Sequence, residues 1–192
     1  MSFEILDCSS IASGRANEDC AGAKGLFAWV FDGATDVLET PLLNGPSDAA
    51  WFAATLDRLM GQIADGFAGP LADLPPHLAV LAGAELLRHA RRPPQSRGEH
   101  PSASGIVVRG RPGGLDYVAL GDCTMIARSS RGVEVIGVEE MRTGDDWVKE
   151  KIRAIQAKEP SAGMRETRER LWPVLRAKRA TMNEDQGYAI FS

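Results

Sequence analysis

The sequence predicts an α+β fold. Three observations carry that reading: short apolar runs of strand-like pattern closed by glycine turns, two long stretches of helical periodicity, and a return to helix after a series of hairpins. With 192 residues, 44% of them hydrophobic and 25% charged, the chain is expected to form one domain over residues 1–192. That length suffices for a substantial buried core.

The elements follow in order. "FEILDCSSIASG" opens with a strand-like core and passes into small turn formers. After the small turn "AGAKG" comes "GLFAWVFDG" (25–33), a compact apolar run closed by Asp-Gly, the pattern of a buried strand entering a turn. Phe52, Leu56, Leu59, Met60, Ile63 and Phe67 recur at helical offsets and predict a helix over 47–67. Ser47 or Asp48 is placed to cap it after the break at Pro46. "PPHLAVLAGAELLRHARR" predicts a second helix over 76–91, apolar nearly all round. The Pro- and Ser-rich stretch 91–104 reads as a surface loop.

A β-meander follows. "GIVVRG" and "LDYVALGD" are joined by "RPGG", and "CTMIARS" and "GVEVIGV" by "SRG", connections whose glycines can take positive φ. Helical pattern resumes over 143–157, with Thr143 or Asp145 as cap, and over 161–172, where Pro173 is expected to kink or end the helix. "GYAIFS" is a strand-like ending.

A formal net charge of −4 argues against a binder dominated by nucleic-acid phosphates. No apolar run reaches the length of a membrane span, and "MSFEILDC" lacks the basic and apolar regions of a secretion signal, so a cytoplasmic protein is expected. Cys8, Cys20 and Cys123 form no CxxC pair. Their odd number fits reduced thiols, and a zinc site on Cys8 and Cys20 would lack nearby histidines, since His77, His89 and His100 are distant in sequence.

Asn-Glu-Asp occurs twice, in "GRANEDC" and in "TMNEDQ". The first copy stands near the apolar strand ending at Asp32-Gly33, so Glu18, Asp19 and Asp32 are expected to meet at one end of a sheet. "ALGDC" delivers a third strand-end acid, Asp122. Gathered carboxylates raise one another's pKa unless a cation neutralises them, and oxygen-only clusters favour magnesium or manganese. The same residues also suit ordinary strand-end turns. The second copy, Asn183-Glu184-Asp185, lies at a helix-to-strand junction and reads as a turn.

The succession "GRANED", "FAWVFDG", "HPSASGIVV", "LDYVALGDC" resembles the metal-dependent serine/threonine protein phosphatases of type 2C, over roughly residues 10–140. The resemblance implies an antiparallel β-sandwich flanked by helix pairs on both faces (α-β-β-α layers). It implies that Asp32 bridges two Mn2+ or Mg2+ ions and that the Gly33 carbonyl binds one of them. Glu18 and Asp19 would bind metal or hold its waters, Asp122 would match the acid at an additional ion, and Arg15 would clamp the phosphate. The activity implied is hydrolysis of phosphoserine or phosphothreonine in a protein substrate by metal-activated water.

The chain departs from that pattern in four places. Arg15 stands three residues before Glu18, one fewer than is usual, so its side chain needs a bulge to face the site. "ATD" follows Gly33, without the His that many members carry, and His100 is the candidate substitute. Cys123 takes the place of a Ser. The later Asp-Gly and Asp-Asn elements are absent after residue 140. A short C-terminus with weakened ion affinity is therefore expected, together with an unpaired sheet edge able to support a homodimer. Two alternatives stay open: a phosphatase-like domain that binds a phosphoprotein or partner without catalysis, and an interaction subunit using the basic run Arg165, Arg168, Arg170, Arg176, Lys178 and Arg179.

Overall fold

The computed structural model describes residues 3–12, 16–137, 140–159, 163–184 and 189–192. Its architecture is α+β. Strands β1 (Asp19–Lys24), β2 (Phe27–Gly33), β3 (Ala103–Arg111) and β4 (Gly114–Leu120) form an antiparallel sheet in the order β1-β2-β3-β4. Strands β5 (Met125–Ser129) and β6 (Gly132–Ile136) form a separate hairpin. Helices α1 (Asp48–Ile63) and α2 (Leu74–His89) lie between β2 and β3 in sequence, and α3 (Glu140–Lys158) and α4 (Met164–Arg179) follow the hairpin.

Alternation along β2 sets the inner face of the large sheet. Phe27, Trp29, Phe31 and Gly33 are buried, whereas Asp32 points to the other face and is exposed. Phe52, Leu56 and Met60 of α1 and Leu74 and Leu78 of α2 share one core cluster with those aromatic residues. Each such side chain contributes about 1.5–3 kcal/mol of transfer free energy when fully buried. The Trp29 indole N–H donates to Asp57 of α1 at 2.7 Å. Its ring covers Gly22 of β1, where a Cβ would come within 2.6 Å of ring carbon, so the position accepts only glycine without rearrangement.

The turns agree with the glycine pattern. Gly25 (φ 57) closes β1–β2 and Gly113 (φ 80) closes β3–β4. Ser47 caps α1 as expected, its hydroxyl accepting from Ala50 N at 2.9 Å. No described helix is long and apolar enough to cross a membrane.

Four expectations are corrected. The first strand is "DCAGAK" itself, not the stretch before it: residues 3–12 make no ladder, and Leu6 and Ile11 are 89% and 85% exposed. Helix α1 ends at Ile63; Phe67 reaches the core from the following turn and packs edge-on against Phe27. Helix α3 begins at Glu140, ahead of the expected caps at 143 and 145. Helix α4 continues through Pro173 to Arg179. Its later turns rest on the 3-10 turn Arg97–Glu99, where a Cβ on Gly98 would approach the Arg176 carbonyl oxygen to 2.3 Å. That close docking holds the helix past the proline, overriding local propensity.

The ending is strand-like at Phe191, which bridges Ala103 through two backbone bonds of 2.9 and 3.1 Å. Its ring meets Phe31 edge-on at 5.2 Å. Asn183 holds this segment in place. In the left-handed region (φ 59), it accepts from Ile190 N at 2.8 Å and donates to the Ser192 hydroxyl at 3.1 Å. The second Asn-Glu-Asp copy is thus a turn at Asn183 and Glu184; Asp185 lies outside the described residues.

Candidate functional site

Strand register brings the first set of acids together. Asp19 and Asp32 are direct partners across β1 and β2, and Asp32 partners Ser104 across β2 and β3. Partners in an antiparallel pair project to the same face. Asp19, Asp32 and Ser104 therefore form a row on the face opposite Phe31. Gly105 pairs with Leu120, so Gly121 and Asp122 turn off β4 beside Ser104. The turn needs its glycine: Gly121 has φ 78, and a Cβ there would lie 2.2 Å from the Ser104 hydroxyl oxygen. Asp122 N donates to that hydroxyl at 3.3 Å.

The acids sense one another. Partial burial, then the Asp19 charge and a side-chain hydrogen bond with Asp19, then the charges of Asp122 and Glu18, raise Asp32 from 3.8 to about 6. Cys123, next to the turn, is pushed up to about 12 by burial first and by Asp32, Asp122 and Asp19 after it. A thiol so placed is a poor nucleophile at neutral pH.

Glu18 is held from three sides. Ser47 Oγ donates to one carboxylate oxygen at 2.6 Å and Thr35 Oγ1 to the other at 2.9 Å. Its backbone carbonyl accepts from Gly33 N at 2.8 Å. Gly33 is pinned between two backbone segments, since a Cβ would lie 2.7 Å from the Ala49 carbonyl oxygen and 2.9 Å from that of Glu18. Asp36 accepts from Asp48 N and Ala49 N at 2.9 and 3.0 Å; burial raises its pKa against those bonds. Asp48 in turn accepts from Leu42 N and Leu43 N. The first turn of α1 is thereby tied to the end of β2.

The donor set suits a hard divalent cation: it is oxygen-only, and Asp32 carries an electrostatic load that a cation would relieve. The arrangement is not that of a closed cage. Among the described residues, no group of three or more His, Cys, Asp or Glu side chains is set to hold a metal ion. Instead Asp32 stands beside Asp19 as its cross-strand partner, and hydroxyls donate to both oxygens of Glu18.

The remaining candidates fall elsewhere. Arg15, the expected phosphate clamp, lies outside the described residues. His100 lines a separate cavity of about 240 Å³ with Arg97, Arg179, Met182, Asn183 and Ser192, and burial lowers its pKa. In that region Arg97 pairs with Glu184, and Arg179 donates to the carbonyls of Ala34 (3.2 Å) and Thr35 (2.6 Å). The basic run of α4 is engaged internally as well: Arg170 binds Glu159 and Glu166, and Lys178 sits 5.2 Å from the centre of the Trp147 ring. Cys8, Cys20 and Cys123 are free thiols, Cys8 exposed and the other two half-buried.

Ser104, Thr35 and Ser47 stand in no pattern of the sequence that marks a site. Ser47 was visible only as a helix cap, and Thr35 only as the residue two beyond Asp-Gly. No protein-family model, curated protein or solved structure matches the chain.

Proposed function

We propose that the chain is a metal-dependent phosphatase acting on phosphoserine or phosphothreonine in proteins. One observation carries the reading. Three strand-end acids distant in sequence, Asp19, Asp32 and Asp122, are brought to one sheet end by register, in the order the type 2C resemblance requires. On this reading the four-stranded sheet and the β5–β6 hairpin belong to the two sheets of an α-β-β-α sandwich, with α1 and α2 outside one and α3 and α4 outside the other.

Asp32 is the central ligand, Asp19 and Asp122 flank it, the Gly33 carbonyl is a further oxygen donor, and Glu18 supports the group from the side. When bound, two Mn2+ or Mg2+ ions would supply an activated water and offset charge on the phosphoryl oxygens. The chain's own part is to aim the carboxylates and to hold Asp32 partly desolvated. Arg15 stays the candidate for phosphate binding.

Manganese-stimulated hydrolysis of an aryl phosphate, abolished in Asp32→Asn, is the expected result. Activity no higher than that variant's at millimolar manganese would overturn the proposal.

A second reading, a phosphatase-like module that binds a phosphoprotein or partner without turnover, is favoured by the uncaged carboxylates. Calorimetry separates the two. Phosphopeptide binding without manganese binding supports the module, and manganese binding with turnover supports the enzyme. The edge strands β1 and β4 are where a second copy would pair to give a homodimer; a strict monomer in light scattering at tens of micromolar would remove that part of the proposal.

A further inference from the structure

The strongest unexplained feature near the acids is the bracing of Glu18 by a hydroxyl at each carboxylate oxygen. Its two carboxylate oxygens each accept a hydroxyl, from Ser47 at 2.6 Å and from Thr35 at 2.9 Å. Ser47 uses both of its capacities at once: its proton goes to Glu18 while its oxygen accepts Ala50 N at 2.9 Å. The result is a polarised series running from a first-turn amide of α1 through the Ser47 hydroxyl to the carboxylate. Side-chain oxygens of Asp36 take the two preceding amides of the helix, Asp48 N and Ala49 N. Gly33, next to Asp32, has no room for a Cβ between Ala49 and Glu18. Helix start, Glu18 and strand end therefore form one block.

We infer that Ser47 and Thr35 are positioning residues that brace Glu18, making it the link between the α1 N-terminus and the carboxylate row instead of a direct ligand. The inference rests on the metal-dependent reading and adds a coupling to it. A cation drawn to Asp19, Asp32 and Asp122 also attracts Glu18, which precedes Asp19 in the chain and whose carbonyl accepts from Gly33 N, next to Asp32, at 2.8 Å. A braced Glu18 transmits that attraction to the helix start. By reciprocity, whatever the cation gains from an ordered helix start, the helix start gains from the cation. Partners behind metal-site carboxylates commonly tune affinity about 10- to 100-fold.

The test uses the full chain with manganese alone as probe. Calorimetry gives its affinity for the parent, Ser47→Ala, Ser47→Thr and Thr35→Val, and hydrogen exchange follows the amides of Asp48, Ala49 and Ala50. We expect manganese to slow exchange at those three amides in the parent. Ser47→Ala should bind about tenfold more weakly and lose the protection, and Ser47→Thr should regain both. Thr35→Val leaves the helix cap untouched, so several-fold weaker binding in that variant, with an unchanged melting curve, separates the brace from loss of folding. Equal affinity in the parent and in a folded Ser47→Ala or Thr35→Val protein overturns the brace alone. No manganese binding by the parent overturns the metal reading and the brace with it.

Discussion

Asp32→Asn is the most informative single change, because the charge it removes is costly to the fold. Asp32 sits near pH 6 where an ordinary aspartate sits at 3.8. At about 1.4 kcal/mol per pH unit, that gap sets a ceiling of about 3 kcal/mol on the cost of ionising it in the folded protein. Half-open to solvent, the group should realise roughly 1 kcal/mol. The sign follows from the raised value. The folded chain holds the proton more tightly than the unfolded chain, so this contribution is full below pH 3.8 and is lost as pH rises through about 6.

Asparagine keeps an N–H for Asp19 and never ionises. The variant should therefore be more stable than the parent by roughly 1 kcal/mol at pH 8, about 2–4 °C in melting temperature for a chain of this size. The advantage should shrink as pH falls from 6 to 4.5 and vanish only below about pH 3.8. Urea titrations of both proteins at pH 4.5, 6 and 8, without added metal, give the comparison; acids remote from the site cancel in the difference, and relief of Asp19, Asp122 and Glu18 adds to the gain at pH 8. A stability difference that does not change with pH, or a variant less stable at pH 8, would refute the electrostatic account. Manganese should stabilise the parent at pH 8 and leave the variant unmoved.

Three further outcomes are expected. Gly33→Ala forces a methyl against the Ala49 and Glu18 carbonyls at 2.7 and 2.9 Å; a loss of about 2–3 kcal/mol in urea titration should accompany weaker manganese binding. Phe191→Ala removes a ring only 2% exposed that stacks edge-on against Phe31, for a loss of about 3–5 kcal/mol by thermal melting. In the native protein at pH 8, Cys123 should resist iodoacetamide while exposed Cys8 reacts first, read by mass spectrometry against the urea-unfolded chain.

Much of the scaffold was legible where local pattern and tertiary environment agree. Strand β2 and helix α1 announce themselves through Phe27, Trp29 and Phe31 at period two and Phe52, Leu56 and Leu59 at helical spacing. A glycine at positive φ stands at the turn of each of the three hairpins: Gly25, Gly113 and Gly132. Strand β1 was obscured because "DCAGAK" contains no large apolar residue: its place depends on Trp29 lying over Gly22, a contact that leaves no mark in β1's own sequence. Pro173 misled for the opposite reason, a strong local signal overridden by the docking of α4 on Gly98.

The acids followed the same division. Asp19, Asp32 and Asp122 could be found from strand ends, since a strand end next to a glycine turn delivers a side chain predictably. The hydroxyls of Ser47 and Thr35 could not, because their partner Glu18 is 29 and 17 residues away. Only the folded chain decides which carboxylate a serine meets.

The Trp29 indole spans two elements, lying on β1 and bonded to Asp57 of α1. It is thus a native optical gauge of how tightly that helix seats. Replacing Trp51, Trp147 and Trp172 with phenylalanine would isolate its emission. On the proposed metal-dependent reading, manganese added at the start of the same helix would be followed as a change in colour or intensity, with no dye attached.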